Sequence, residues 1–128
     1  MASKVSQAKK NRYLILRGLF DRPLSFNQLI DETDLKNTLI LNSLKSLFRS
    51  NAIKSITDHP QNDIPKSRKI KFYVITENGR NKLAYYEYKH QFYKEFPSRY
   101  DDSLNQPYYS EIQKIIEENN HFTFKKNS

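Results

Sequence analysis

The chain has 128 residues, 37% apolar and 13% aromatic, which suits one compact domain with a peripheral helix or two and is too short for two full-sized domains. A net charge of +8 and a pI near 9.6 favour a polyanionic partner, while the lack of cysteine excludes a disulfide framework, a thiolate metal site and a cysteine nucleophile. The opening segment has no apolar run of signal-peptide length and no stretch could span a bilayer, so a cytoplasmic protein with no membrane partner is expected.

The charge is unevenly placed. Residues 1–96 hold 18 Lys and Arg against 9 Asp and Glu, a charge of +9, whereas residues 97–128 hold 4 against 5, a charge of −1. The polyanion-binding surface is therefore expected in the first three-quarters of the chain, with a different task for the rest.

Residues 1–10 read as a flexible basic leader. The stretch 7–20, QAKKNRYLILRGLF, places Tyr13, Leu16, Leu19 and Phe20 at helical spacing behind Lys9, Lys10 and Arg12. It predicts a first helix, closed by Asp21, Arg22 and Pro23 because proline disfavours helical geometry in the residue before it. Ser25 with Gln28 three positions later forms the S-x-x-Q capping box of a second short helix over 25–32, and Leu24 with Leu29 offers an apolar staple across it. The short polar side chains of 31–34 break that helix, and Leu35 can tuck the turn inward.

Residues 34–51, DLKNTLILNSLKSLFRSN, predict a third helix with two surfaces. At about 100° per residue, Asn37, Ile40, Leu44, Leu47, Phe48 and Asn51 fall on one side, and Thr38, Asn42, Lys45, Ser46 and Arg49 on the other. The first side calls for a core. The second offers amide, hydroxyl and cationic groups with no carboxylate among them, the groups that meet phosphates and base edges. Asn51 suits the left-handed position that stops a helix.

Residues 52–56 and 70–75 alternate as strands, the second with Ile70, Phe72 and Val74 on one face. The 13 residues between them, 57–69, include two prolines and a basic end at Lys66, Arg68 and Lys69, longer than the usual hairpin loop. Thr76 is a good N-cap for a long fourth helix over 77–96, with Glu77 in its first turn. Its apolar stripe, Leu83, Tyr86, His90 or Tyr93, and Phe96, is longer than a small domain covers. Residues 98–107 read as a linker, and 108–118 as a short helix carrying Tyr109, Ile112, Ile115 and Ile116 before a fraying tail.

Other chemistries find little support. His59, His90 and His121 have no metal-ligand spacing, and Gly18 and Gly79, the only glycines, cannot make a phosphate-cradling loop. The pairs Asp101–Asp102 and Glu117–Glu118 read as solubilising charge, and the tyrosines from 85 to 109 as core and dimer interface, with a ligand pocket or base stacking as the other reading. No enzymatic activity, cofactor or metal is expected, and no motif specifies a small-molecule effector.

The order helix, helix, helix, strand, basic loop, strand, helix resembles the winged helix-turn-helix family, most like the small MarR- or PadR-type transcription regulators of bacteria and archaea. The resemblance covers residues 10 to about 96. The family's pattern L-x-x-L-x-x-x-(G/N)-x-(I/V), led by a turn leucine and further apolar residues, is matched by Leu35, Ile40, Leu44, Leu47, Asn51 and Ile53. Its wing signature Y-x-(I/L)-T-x-x-G stands here as Tyr73, Ile75, Thr76 and Gly79.

The resemblance implies an α+β, mainly helical fold: three helices, a two-stranded wing, a long C-terminal helix and a short extra helix, with the winged domain over 11–96 and a dimerising segment over 97–128. It implies double-stranded DNA as partner, with helix 36–50 in the major groove and the 57–69 wing on the backbone or minor groove. Asn37, Thr38, Asn42, Lys45, Ser46 and Arg49 would contact DNA from the helix, and Lys66, Arg68, Lys69 and Lys71 from the wing. Lys9, Lys10 and Arg12 can add phosphate contacts near the first helix. Homodimerisation is expected through residues 80–120. Leu39 and Leu41 depart from the family pattern, since many relatives carry Ser, Thr or Arg there. Leu41 packing beneath helix two with Leu39 at a packed edge is one account; a protein-binding face, making the domain an interaction module in a larger assembly, is another. A plasmid partition or replication factor would share the same pattern.

Overall fold

Apolar residues at helical spacing build the first of the two compact units into which the chain divides, Met1–Gly79 and Arg80–Ser128. The computed structural model describes residues 6–57, 70–90 and 102–118, the side chains of the last segment from residue 110 onward. In the first unit, α1 spans Gln7–Leu19, β1 Leu24–Ser25, α2 Phe26–Thr33, α3 Asn37–Arg49, β2 Ile53–Ile56 and β3 Phe72–Ile75. Helix α4, Glu77–His90, leads out of it, and α5 covers Asp102–Glu118.

Helix α1 is the hub. Its N-terminus is capped by Ser6, whose hydroxyl accepts from the Lys9 amide at 3.3 Å. Tyr13, Ile15, Leu16 and Leu19 are buried, and the helix packs on α2, α3 and β3. Full burial of an aliphatic side chain of this size stabilises by about 1.5–3 kcal/mol, so this face fixes the frame that the other elements join. The Tyr13 hydroxyl remains satisfied inside: it accepts from Arg17 Nη1 at 3.0 Å, and the guanidinium sits 5.9 Å from the ring centroid.

The capping box of α2 is present in both halves, with the Gln28 amide donating to Ser25 Oγ at 3.3 Å and the Ser25 amide to Gln28 Oε1 at 2.9 Å. Leu24 and Ser25 also do something periodicity could not announce, pairing antiparallel with Tyr73 and Phe72. The expected two-stranded hairpin thus becomes a three-stranded sheet of order β1-β3-β2, with Ile53 opposite Ile75 and Ile56 opposite Phe72.

That central place for β3 corrects the expected strand face. Phe72 and Tyr73, neighbours that point to opposite faces, are both buried; α1 packs against β3, and the Phe48 ring meets Tyr73 edge-on. Ile70 lies outside the strand and is 49% exposed.

In the second unit, Leu83, Ala84, Tyr86 and Ile112 are buried, and Arg80 pairs with Glu111 at 3.4 Å. Of the stripe expected to be longer than a small domain covers, Leu83 and Tyr86 are buried within one chain. Residues 91–96, the expected continuation of the fourth helix, lie outside the described residues, as do 98–101 of the expected linker. The rest of that linker is helical: α5 begins at Asp102, six residues before the start expected at 108. Pro107 lies within α5; a proline inside a helix forgoes one backbone hydrogen bond, a cost that other interactions can offset.

Candidate nucleic-acid interface

Helix α3 is held at both ends by local chemistry. Before it, Asp34 turns the chain with φ 60°, and the Thr33 hydroxyl donates to the Leu29 carbonyl at 2.7 Å while accepting from the Leu35 amide at 3.2 Å. Leu35 is half-buried, in keeping with its tucked role. Behind the helix, Asn51 adopts φ 61°, as its placement at the helix stop predicted. The Ala52 amide donates to the Leu47 carbonyl at 2.8 Å and the Asn51 amide to the Phe48 carbonyl at 3.0 Å, the paired bonds of a Schellman stop.

A second set of bonds ties this stop to the start of α4. Thr76 Oγ1 donates to the Asn51 carbonyl at 2.7 Å and accepts from the Gly79 amide at 3.0 Å, so one hydroxyl caps α4 and clamps the end of α3. Asn78 Nδ2 donates to the Ser50 carbonyl, also at 2.7 Å. Asn78 was not among the residues singled out from sequence. A side-chain amide within the first turn after a capping threonine was the available signal.

Between these anchors the helix sorts its residues. Ile40, Leu44 and Leu47 are buried with Ser43. Directly opposite them, within an arc of about 60°, stand Thr38, Asn42, Lys45 and Arg49, a strip about 16 Å long by helical geometry. All four are exposed. Ser46 is half-buried at the margin of this strip, and Asn37 is exposed at the helix start although periodicity put it on the core side. Lys71 is exposed beside β3. Lys66, Arg68 and Lys69 lie outside the described residues.

Two further exposed cations stand on the elements that flank the strip. Lys36, the N-cap residue of α3 without a side-chain capping bond, and Lys54 on β2 are both exposed. Their positions, one residue ahead of the candidate helix and in the first wing strand, could have nominated them. Positive charge at the N-terminus of α3 adds to the helix dipole, which favours anions there.

Three apolar residues break the pattern. Leu39 is 36% exposed, Leu41 46% and Phe48 38%. Leu41, expected in one account to pack beneath helix two, is nearly half exposed, and both leucines are rotated well away from the Ile40–Leu44–Leu47 face. Phe48, expected in the core, instead lies edge-on to Tyr73, with ring centroids 5.8 Å apart and an interplanar angle of 62°. Burial raises the Tyr73 hydroxyl above its ordinary value of 10.0.

Among the described residues there is no cluster of three or more His, Cys, Asp or Glu able to hold a metal ion, and no helix long and apolar enough to cross a membrane.

No protein-family model matches the sequence, and no curated protein matches it. Solved structures do. The chain is similar to a PadR family transcription regulator from Clostridium difficile R20291, with TM-score 0.51 and 22% identity over 66% of this chain and 86% of that one. It is similar to smu.1704 from Streptococcus mutans UA159, with TM-score 0.57 and 22% identity over 79% of this chain and 100% of that one. It is also similar to the reduced form of the transcriptional regulator YodB from B. subtilis, with TM-score 0.51 and 19% identity over 79% of this chain and 99% of that one. The shared feature is the fold, a mainly helical winged helix with a small antiparallel sheet.

Proposed function

We propose that this chain is a sequence-specific, double-stranded DNA-binding transcription regulator of the cytoplasm that acts as a homodimer. Helix α3 lies in the major groove, and the 57–69 wing with Lys71 lies on the backbone or minor groove. The observation that carries this reading is the exposed strip of Thr38, Asn42, Lys45 and Arg49, opposite the core of a winged helix and free of carboxylates. Asn42 is chemically suited to the adenine edge, Lys45 and Arg49 to guanine or phosphate, and Thr38 to phosphate or a thymine methyl group. Asn37 and Ser46 flank the strip, while Lys66, Arg68, Lys69 and Lys71 supply wing charge. The similar structures include proteins described as transcription regulators, which agrees with the reading.

The dimer is assigned to residues 80–120, where Tyr85, Tyr88, Ile115 and Ile116 are only partly buried in one chain. Two-fold symmetry would present two copies of α3 to half-sites about 34–36 Å apart.

Selection of bound fragments from random duplex DNA tests the whole reading. A palindromic consensus is expected, and the double variant Asn42→Ala, Lys45→Ala should lose discrimination at one or two positions per half-site while still binding DNA, each position falling by about 1–3 kcal/mol. Enrichment of no sequence by the wild-type protein would refute it.

A further inference from the structure

We infer that Leu39 and Leu41 read thymine methyl groups, so that the preferred DNA site carries thymines beside the base pair that meets Asn42. This rests on the DNA-binding reading and gives it a chemical preference. Both leucines are exposed, at 36% and 46%, and both sit in the N-terminal half of α3, as its third and fifth residues. That half of a recognition helix is the part that reaches base edges. By helical geometry Leu39 lies about 60° to one side of Asn42 and Leu41 about 100° to the other, so the amide is bracketed by two apolar side chains.

Their surroundings select the occupant. Lys36 is exposed at the start of α3 and Lys45 one turn beyond Leu41, and Thr38 and Asn42 stand between the leucines. An apolar protein surface pressed onto this face would bury those cations and amides against carbon, a costly arrangement without partners. The major groove offers the matching mixture: the C5 methyl of thymine is an apolar knob set among hydrogen-bonding base edges and phosphates. Phe48, the other exposed apolar side chain of α3, needs no such partner because Tyr73 already covers one edge of it.

The test removes the methyl group and nothing else. Duplexes selected by the wild-type protein are resynthesised with deoxyuridine in place of each thymine in turn, and affinities are measured for the wild-type protein and for Leu39→Ala and Leu41→Ala. One or two replacements per half-site should weaken wild-type binding roughly fourfold each, the effect of withdrawing one buried methyl group. The matching leucine variant should bind the thymine and uracil duplexes equally. Retained binding of wild-type protein with no loss at any uracil position overturns the inference and leaves the DNA-binding reading standing, whereas failure to enrich any duplex overturns both. Leucine variants that change the sedimentation-defined oligomeric state while keeping full thymine sensitivity would assign these side chains to a protein contact, against the inference.

Discussion

The two glycines occupy helices for opposite reasons, and substitution separates them. A Cβ on Gly79 would collide with the carbonyl oxygen of Ala52 and stand 2.8 Å from Ile75 Cγ1, so the close approach of α4 to the chain leaving α3 requires a residue without one. Backbone cannot yield as a side chain can. Gly79→Ala should therefore destabilise by about 1–3 kcal/mol in urea unfolding. At Gly18 the nearest atom is Glu32 Cγ at 3.2 Å, on a side chain that pairs loosely with Arg22 at 3.5 Å and has room to shift. Gly18→Ala should stabilise by about 0.5–1 kcal/mol, the usual gain for this exchange inside a helix. Tyr73 supplies a third outcome at this scale. Burial raises its hydroxyl above 10.0, so the unfolded chain surrenders that proton first, and the associated stability is whole below pH 10 and lost as pH rises through the folded value. Melting temperatures measured from pH 8 to 11.5 should fall more steeply at the alkaline end for the wild type than for Tyr73→Phe.

At the scale of elements, the stop of α3 and the start of α4 behave as one joint. Thr76 Oγ1 serves both, so Thr76→Ala removes an N-cap and a bond to the Asn51 carbonyl together and should cost about 1–3 kcal/mol in denaturant unfolding, with Thr76→Ser recovering most of it. The local halves of this joint were legible in the sequence, because a capping threonine and a left-handed asparagine act on nearby backbone, as the Ser25–Gln28 box does at α2; the bonds from Thr76 to Asn51 and from Asn78 to Ser50 were not. Nor were other features set by distant partners. Leu24 and Ser25 form a strand only because β3 lies beside them, and two residues carry no period. Phe48 reads as core by residue type, yet it stays 38% exposed and meets Tyr73 only edge-on. Leu39 and Leu41 are apolar by type, yet one helical period already sets them off the Ile40–Leu44–Leu47 face, and both remain exposed. The candidate strip itself was readable, since Thr38, Asn42, Lys45 and Arg49 follow from one helical period.

For the molecule as a whole, the charge distribution sets how DNA binding should respond to salt. Residues 1–96 carry +9, and the candidate surface draws on it from α3 and the wing. Each phosphate neutralised by a lysine or arginine releases counterions and contributes about −0.9 to the slope of log K against log salt on double-stranded DNA. On the proposed reading the wing cations meet phosphates and not base edges, so Arg68→Ala with Lys69→Ala should weaken binding to the selected duplex and to unrelated duplexes alike. Losing two phosphate contacts flattens the slope by about 1.8 for one bound chain and by about 3.6 for two, so titration from 50 to 300 mM salt reads the number of chains on the DNA as well as the role of the wing. A change near the larger value on a two-half-site fragment, and near the smaller one on a single half-site, is expected for a dimer that places one wing on each half. An unchanged slope in the variant would remove Arg68 and Lys69 from the phosphate contacts and leave α3 with Lys71 to account for the salt dependence.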